Sequence, residues 1–548
     1  MSSSTAGIIP EWIRNAVFYE IYPQSFFDAN GDGIGDIAGM TAKLDYVRST
    51  GATAIWLNPF YVSPMRDAGY DVADFCQVDP RYGTMEDIRT FFREARARGM
   101  RVIIDFVPGH TSADHPWFKE SAKHDAARPF RNWFIWTDSA WDNGGEKWAS
   151  KMVHGYSNRN GNFLVNFFWS QPALNFGFAQ PEEDKPWQLP TTHPDVQALW
   201  AEMRRIMRFW LEQGASGFRV DMADSIIRND PEKKEIRRFW AETRRELLEV
   251  EPELFLIAEG HPSNVLDGNG FHAAYLHWAK GYWQVFRKAE VRSQTGEKVS
   301  DSPFFSREGG GSMLPYLKIF EEEWRAARGR GVISVPMGNH DLPRVATGQP
   351  DIDIEIAFAF TVTFPGIPFI YYGDEIGMRQ GPSDNPVHEG HYPTRNGART
   401  PMQWDRNEKN FGFSTIDPSR LYLPVDASCD APHVAGAEAD AGSLLHAVRR
   451  LTAIRGRERA LWATADFRVL HAADGDSLFV FERMDGGERV LVCLVPSEGA
   501  IERDVDGSGV LAGAWNRLAG NLRVDVSHSG NLKISGVGPA YAIMKLEV

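Results

Sequence analysis

The chain has 548 residues, 43% of them hydrophobic and 12% aromatic, which is more than one ordinary domain needs for its core. A net charge of -14 argues against a nucleic-acid partner, whose phosphates repel an acidic surface, and leaves neutral substrates open. Three widely spaced cysteines, Cys76, Cys429 and Cys493, argue against a disulfide framework and against a cysteine metal centre.

Residues 1–7 carry neither a basic n-region nor an apolar h-region, and no apolar run reaches membrane-spanning length. The expectation is a cytoplasmic protein with no membrane partner. From about residue 16 to residue 451, β-rich apolar runs alternate with amphipathic helical patterns. Residues 16–22, 54–57 and 102–107 read as three strands, with a helix over 85–98 ended by Gly99. Residues 217–220, 254–258, 273–276, 332–335 and 368–371 read as five more strands. Helices over 194–213 and 233–250 flank the fourth. Eight strands alternating with helices predict an α/β chain folded as a (β/α)8 TIM barrel. Between His110 and residue 194 lie Trp, Asn and Gly clusters without periodicity, the mark of an inserted subdomain over the barrel mouth. After residue 457 short alternating strands over 467–470, 477–483, 489–494, 532–535 and 541–546 predict an all-β C-terminal sandwich. The expected division is barrel over 1–109 and 179–457, insertion over 110–178, and C-terminal β domain over 458–548.

Three acids stand at or just past strand ends: Asp221, Glu259, and Asp341 within Asn339-His340-Asp341. An apolar strand ending in a charge is an odd economy unless the charge is used. In a β/α barrel these ends floor the active site, and two facing carboxylates are the minimum apparatus for sugar transfer. Arg219 lies two residues before Asp221, so both side chains share a face and the cation keeps the carboxylate ionised. Asp221 is thus the candidate nucleophile. Glu259 is the candidate acid/base, its pKa raised by burial near other carboxylates. Asp341, His110 and His340 suit hydrogen bonds to the same sugar. Any one of these acids alone reads equally well as a helix cap or a surface charge.

A second acidic stretch runs Asp28-Ala29-Asn30-Gly31-Asp32-Gly33-Ile34-Gly35-Asp36. Oxygen side chains fall at loop positions 1, 3, 5 and 9, with Gly at 6 and the Ile34 carbonyl at 7, the ligand order of a calcium loop. Gly39 stands where an EF-hand has its bidentate Glu. The expectation is a structural Ca2+ (or Mg2+) held by Asp28, Asn30, Asp32, Ile34 and Asp36, with no cofactor for catalysis. A Gly/Asp-rich turn without an ion is the alternative.

These residues resemble the α-amylase superfamily, glycoside hydrolase family 13, and within it the oligo-1,6-glucosidase and α-glucosidase group, over nearly the whole chain. The motifs are the Asp-rich loop, Asp67-Ala68-Gly69-Tyr70-Asp71, 105–110, 217–221, Ala258-Glu259, Asn339-His340-Asp341, and Arg399-Thr400-Pro401-Met402-Gln403-Trp404. The resemblance implies Asp221 as nucleophile, Glu259 as acid/base and Asp341 as transition-state stabiliser. It implies that Tyr70 stacks on the sugar, that Asp67 and Arg399 pair behind one terminal glucose, and that Arg219, His110 and His340 complete the pocket. The implied activity is that of a retaining exo-acting α-glucosidase on short oligosaccharides or small α-glucosides. A transglucosylase or a sucrose- or disaccharide-converting enzyme is the alternative. A catalytically silent binding homologue, like the transporter heavy chains of this superfamily, is disfavoured because all three acids are present. Gly109 replaces the usual Asn before His110, which weakens a second calcium site. Ala173 replaces the acid of a Gln-Pro-Asp-Leu-Asn signature, and Met222 follows the nucleophile, so linkage preference stays open.

Overall fold

The structure is a computed structural model that describes residues 9–125, 128–155, 157–276, 282–287, 302–381 and 393–547. Eight parallel strands form its centre: β1 (Phe18–Ile21), β2 (Ala54–Leu57), β3 (Arg101–Phe106), β4 (Gly217–Val220), β5 (Phe255–Glu259), β6 (Ala273–Tyr275), β7 (Val332–Ser334) and β8 (Phe369–Tyr371). From β1 to β7 each pairs with its neighbour in chain order, and β8 pairs with β1. A parallel bridge from Ser334 to Ile367 closes the ring. The TIM barrel expected from the alternation is the fold.

The strands alternate faces with period two. Ile55, Leu57, Ile104, Phe218, Val220, Leu256 and Ala258 face the outer layer and share its large apolar cluster. That layer includes α1 (Met85–Ala97), α2 (Pro194–Gln213), α3 (Lys234–Leu248), α4 (Leu314–Ala327) and α5 (Asp351–Thr363). The intervening residues face inward, and their chemistry changes along the barrel axis. Phe18, Ala54, Ile103, Phe255, Ala273, Val332 and Phe369 fill the N-terminal end, joined by Ile9 and Ile13 of the segment before β1. The inward positions nearer the C-terminal end are Glu20, Trp56, Asp105, Arg219, Glu259 and Tyr275, all but Glu259 buried. One end of the cylinder is a dry plug; the other is a ring of polar and charged groups.

The stretch between β3 and α2 has only short pairings, Met152–Val153 with Phe163–Leu164. Ile135, Trp148, Met152, Leu164, Ala173, Phe178 and Trp187 give it a small core of its own. Its chain crosses the site edge where His110 bridges Ala173.

The C-terminal strands are β9 (Asp466–His471), β10 (Phe479–Asp485), β11 (Glu488–Val505), β12 (Trp515–Gly520), β13 (Arg523–Val526) and β14 (Leu532–Leu546). They form one six-stranded antiparallel sheet rather than two separate ones. β11 and β14 are long and slip register between Val495 and Gly499. Residues from both of their halves meet in one cluster, among them Leu491, Cys493, Ile501, Val505, Ile534 and Met544, so the sheet bends over its own core at that irregularity. The two strands expected over 532–535 and 541–546 are this single β14. β12 and β13 are mostly half-buried or exposed, and their weak alternation left no sequence signal.

Two arginines join this sheet to the barrel. Arg455, on α6 (Leu444–Arg457), donates to the carbonyls of Val362, Gly366 and Leu461 at 2.6–2.8 Å. Arg483 on β10 donates to Thr363 O at 2.5 Å and Trp462 O at 2.7 Å. Both are buried without a carboxylate and instead cover carbonyls at and beyond the C-terminus of α5, where cations are favoured. Among the described residues, no helix is long and apolar enough to cross a membrane.

Gly217 tests the strand contact on which the site rests. A Cβ there would lie 1.9 Å from Phe255 O of the neighbouring strand, a contact that only backbone movement relieves. Gly217→Ala is expected to destabilise the chain by about 3 kcal/mol or more, measured by urea or thermal unfolding. A wild-type unfolding curve would contradict this packing.

Candidate active site

Arg219 is the centre of the polar ring. It is 1% exposed, and β4 aims it across the barrel axis. Its Nη1 lies 2.8 Å from Asp105 Oδ1 and 2.9 Å from Asp221 Oδ1. Its Nη2 lies 3.0 Å from Glu259 Oε1, and its Nε donates to the Tyr275 hydroxyl at 2.7 Å. One guanidinium therefore ties together side chains from or just beyond β3, β4, β5 and β6. Glu259 also accepts from the Met222 backbone N–H at 3.0 Å, and it shares the Arg219 guanidinium with Asp221. Two carboxylates held on adjacent nitrogens of one guanidinium face each other closely, which favours the close spacing of ~5–5.5 Å over the wide one of ~6.5–9.5 Å.

The acids differ in protonation because their surroundings differ. Burial raises Glu259 to about 8; the Arg219 charge opposes this, and the negative charges of Asp221 and Asp341 add to it. Burial raises Asp221 to about 6, against the pull of Arg219. Asp341 is as deeply set, but Arg395 and Arg399 outweigh the burial and hold it well below the usual carboxylate range. Arg395 Nη1 and Arg399 Nη2 stand 3.0 and 3.1 Å from its Oδ1. Near neutral pH the site thus holds one protonated carboxyl, Glu259, beside two carboxylates.

His340 lies under this group. Its Nε2 is 2.7 Å from the Tyr70 hydroxyl and 3.4 Å from Asp341 Oδ2, and its Nδ1 is 2.7 Å from Glu20 Oε1. Tyr70 also donates to Asp105 Oδ2 at 2.9 Å, and its ring stacks on His340 at 5.2 Å. His110 hydrogen-bonds the Tyr70 carbonyl at 3.2 Å, and burial lowers its pKa to about 4, so it is neutral. All nine residues expected at the pocket, Asp67, Tyr70, His110, Arg219, Asp221, Glu259, His340, Asp341 and Arg399, thus belong to one contact network.

The expected Asp67–Arg399 pair is not formed. Arg399 donates to the His340 carbonyl at 2.8 Å and turns its other arm to Asp341. Asp67 is instead held by Gln171 Nε2 at 2.6 Å, with Arg395 at 3.9 Å. Asp341 carries the stronger field and captures both guanidinium groups. Burial outweighs Arg395 at Asp67 and raises it to about 6. The sequence reasoning assigned no role to Arg395, Asp105, Gln171, Tyr275 or Glu20. Asp105, Tyr275 and Glu20 carried a signal, being polar at inward positions of strands; Gln171 stood in the Gln-Pro-Asp-Leu-Asn likeness without a role, and Arg395, on the short helix Pro393–Asn396, had no signal.

Gly109 is tightly enclosed. A Cβ there would meet Asn166 Nδ2 at 3.1 Å and Met222 Sδ at 3.2 Å, so the space of the usual Asn side chain is taken by Asn166 and Met222. Gly260, next to Glu259, is likewise closed, with Asp224 Cγ 3.0 Å from its would-be Cβ.

The Asp-rich loop lies apart from this network and packs on 413–420, where Ser414 donates to Asp28 Oδ2 at 2.5 Å. Its acids are wrapped by amides: Gly31 and Gly33 N–H on Asp28, Asp32 N–H on Asn30, Ile34 N–H on Asp32, and Ala29, Asn30 and Gly39 N–H on Asp36. Among the described residues, no three His, Cys, Asp or Glu side chains gather as an ion site by themselves. Asn30 and the Ile34 carbonyl would have to complete the set, and such an all-oxygen set suits a hard cation.

Comparison with known proteins agrees with this geometry. The α-amylase catalytic domain matches residues 20–464. Glucan 1,6-alpha-glucosidase of Streptococcus pneumoniae is 31% identical over 88% of this chain and 91% of its own length. Trehalose synthase/amylase of Mycolicibacterium smegmatis is 31% identical over 87% of this chain and 82% of its own length. Among solved structures, the trehalulose synthase of Pseudomonas mesoacidophila superposes with a TM-score of 0.78 at 25% identity, covering 98% of this chain and 99% of that one. A continuous match from β1 to the start of the C-terminal sheet, with the acids on the strand ends where such a barrel works, makes this chain a member of the α-amylase family of glycoside hydrolases.

Proposed function

We propose that the chain is a retaining, exo-acting α-glucosidase that removes terminal α-linked glucose from short oligosaccharides or small α-glucosides. The observation that carries the reading is that Asp221 and Glu259 sit on the two Nη atoms of one buried arginine, 2.9 and 3.0 Å away. Asp221 attacks the anomeric carbon while Glu259 gives its proton to the leaving oxygen, forming a covalent β-glucosyl-enzyme. Glu259, now the base, activates water, and glucose leaves with α configuration. Asp341 stabilises the positive charge that develops at the ring. Tyr70, His110 and His340 hold the sugar, and Asp67, Arg395 and Arg399 close the pocket behind it. Relatives named oligo-1,6-glucosidase and glucan 1,6-alpha-glucosidase support hydrolysis. Transfer to a sugar acceptor is the second reading, favoured by relatives named trehalose synthase and trehalulose synthase; both reactions share the same intermediate.

A structural Ca2+ or Mg2+ in the 28–36 loop belongs to this proposal. The oxygen ligand order supports it, and the amides that wrap the acids leave carboxylate lone pairs for a cation.

Asp221→Asn and Glu259→Gln are each expected to lower kcat on 4-nitrophenyl α-glucoside by about 100-fold or more without changing the circular dichroism spectrum; near-normal turnover in either would remove its role. The rate should also be bell-shaped in pH. Asp221 must be ionised to attack, so kcat/KM falls as pH drops through about 6. Glu259 must be protonated to donate, so it falls again as pH rises through about 8. A rate that keeps rising beyond the Glu259 value would refute the acid assignment. Chelation, or Asp32→Ala, should lower the melting temperature more than kcat; a melting curve indifferent to chelator would remove the ion.

A further inference from the structure

Arg228 stands in the loop after β4 and is half-buried beside the site. Its Nη1 donates to Ser225 O at 3.0 Å and its Nη2 to Asn166 Oδ1 at 2.5 Å, while its Nε is buried without a partner. Among the described residues it makes no ion pair, and burial lowers its pKa to about 10 with no carboxylate opposing the shift. Arg455 and Arg483, likewise buried without an ion pair, each donate to three or more carbonyls, although the Arg455 Nε is unpartnered too. Arg228 has one carbonyl and one amide oxygen. A half-buried guanidinium with a buried, unpartnered Nε keeps donor capacity for an anion.

A second cation faces the same wall. Lys151 is exposed at the surface and makes no ion pair among the described residues, and its pKa is lowered by partial desolvation and by the charge of Arg228. The two segments meet where Lys147 donates to Asn229 Oδ1. Glu182, which borders Asn229, is already taken by Lys185 and Gln188. In a chain of net charge -14, this wall is locally positive.

Its position gives it a role. Asn166, which holds Arg228, also donates to Gly109 O at 2.8 Å and approaches His110 Nδ1 at 3.2 Å. Asn166 and Met222 together fill the space at Gly109, and Met222 N–H binds Glu259. The guanidinium is therefore one amide behind the wall beside the acid/base, where the leaving group departs. We infer that Arg228 and Lys151 form a subsite for an anionic group, a carboxylate or a phosphate, carried by the aglycone. The inference rests on the α-glucosidase reading and narrows its substrate class. A guanidinium binds either anion through paired N–H groups.

The test compares 4-carbamoylphenyl, 4-carboxyphenyl and 4-phosphonophenyl α-glucosides, which share size and differ in charge. At low salt, wild-type kcat/KM should be about tenfold or more higher for at least one anionic glucoside than for the neutral one, and the larger ratio separates carboxylate from phosphate. Arg228→Gln should bring that ratio close to one, and Lys151→Gln should lower it by a smaller factor. Because the ratio is taken within each variant, loss of folded protein does not affect it. A wild-type ratio near or below one, or a ratio unchanged in Arg228→Gln, overturns the subsite. If 4-nitrophenyl α-glucoside is not cleaved at all, the glucosidase reading fails separately, and calorimetric binding of the same three glucosides to wild type and Arg228→Gln decides the subsite by the same ratios.

Discussion

The buried guanidinium of Arg219 is the constraint around which the site is organised. A charge taken out of water costs several kcal/mol unless its partners are close and well aimed. Here Asp105, Asp221 and Glu259 stand at 2.8–3.0 Å and the Tyr275 hydroxyl at 2.7 Å. One positive charge cannot balance three carboxylates in a dry space. The least costly remedy is to keep a proton on one of them, and Glu259, which also faces Asp221 and the charge of Asp341, keeps it. The acid of the proposed reaction is thus a consequence of local charge arithmetic.

Asp341 follows the opposite arithmetic. It meets two arginines and His340 and stays ionised although equally enclosed. The same chemical group is therefore a proton donor on one side of the pocket and a fixed negative charge on the other. His340, neutral under burial, does not disturb this division. It joins Tyr70 to Glu20 and fixes the orientation of the ring against which Tyr70 packs.

How much of this was legible in the sequence follows from what each feature depends on. Strand positions and the acids at their ends depend on local alternation, and 54–57 and 217–220 were placed to the residue. Helix α2 was too, since its apolar stripe, its Pro194 start and its Gly214 stop all lie in the chain itself. The Asp67–Arg399 pair failed because it depends on competition: Asp341 and Arg395 are distant in sequence from Asp67, and nothing local ranks their fields. The C-terminal sheet was legible as β but not as one bent sheet. The Gly499 and Gly538 region looks like a turn, whereas the two strands run on through it with a slip in register.

The inward-facing positions explain why so many charges can be kept at one end of the barrel. Four strands contribute an apolar residue below and a polar one above, two positions apart: Phe18 and Glu20, Ile103 and Asp105, Ile257 and Glu259, Ala273 and Tyr275. The lower residues, with Ile9 and Ile13 beneath, form a dry plug with few polar atoms. The upper ones need each other as hydrogen-bond partners, because neither the plug below nor the helices outside offer any. A single-residue slip in any strand would exchange this layer with the apolar outer face. Register, hydrophobic packing and charge placement are therefore one constraint, and the pairing of β4 with β5, which brings Arg219 and Asp221 to Glu259, is the place where all three meet.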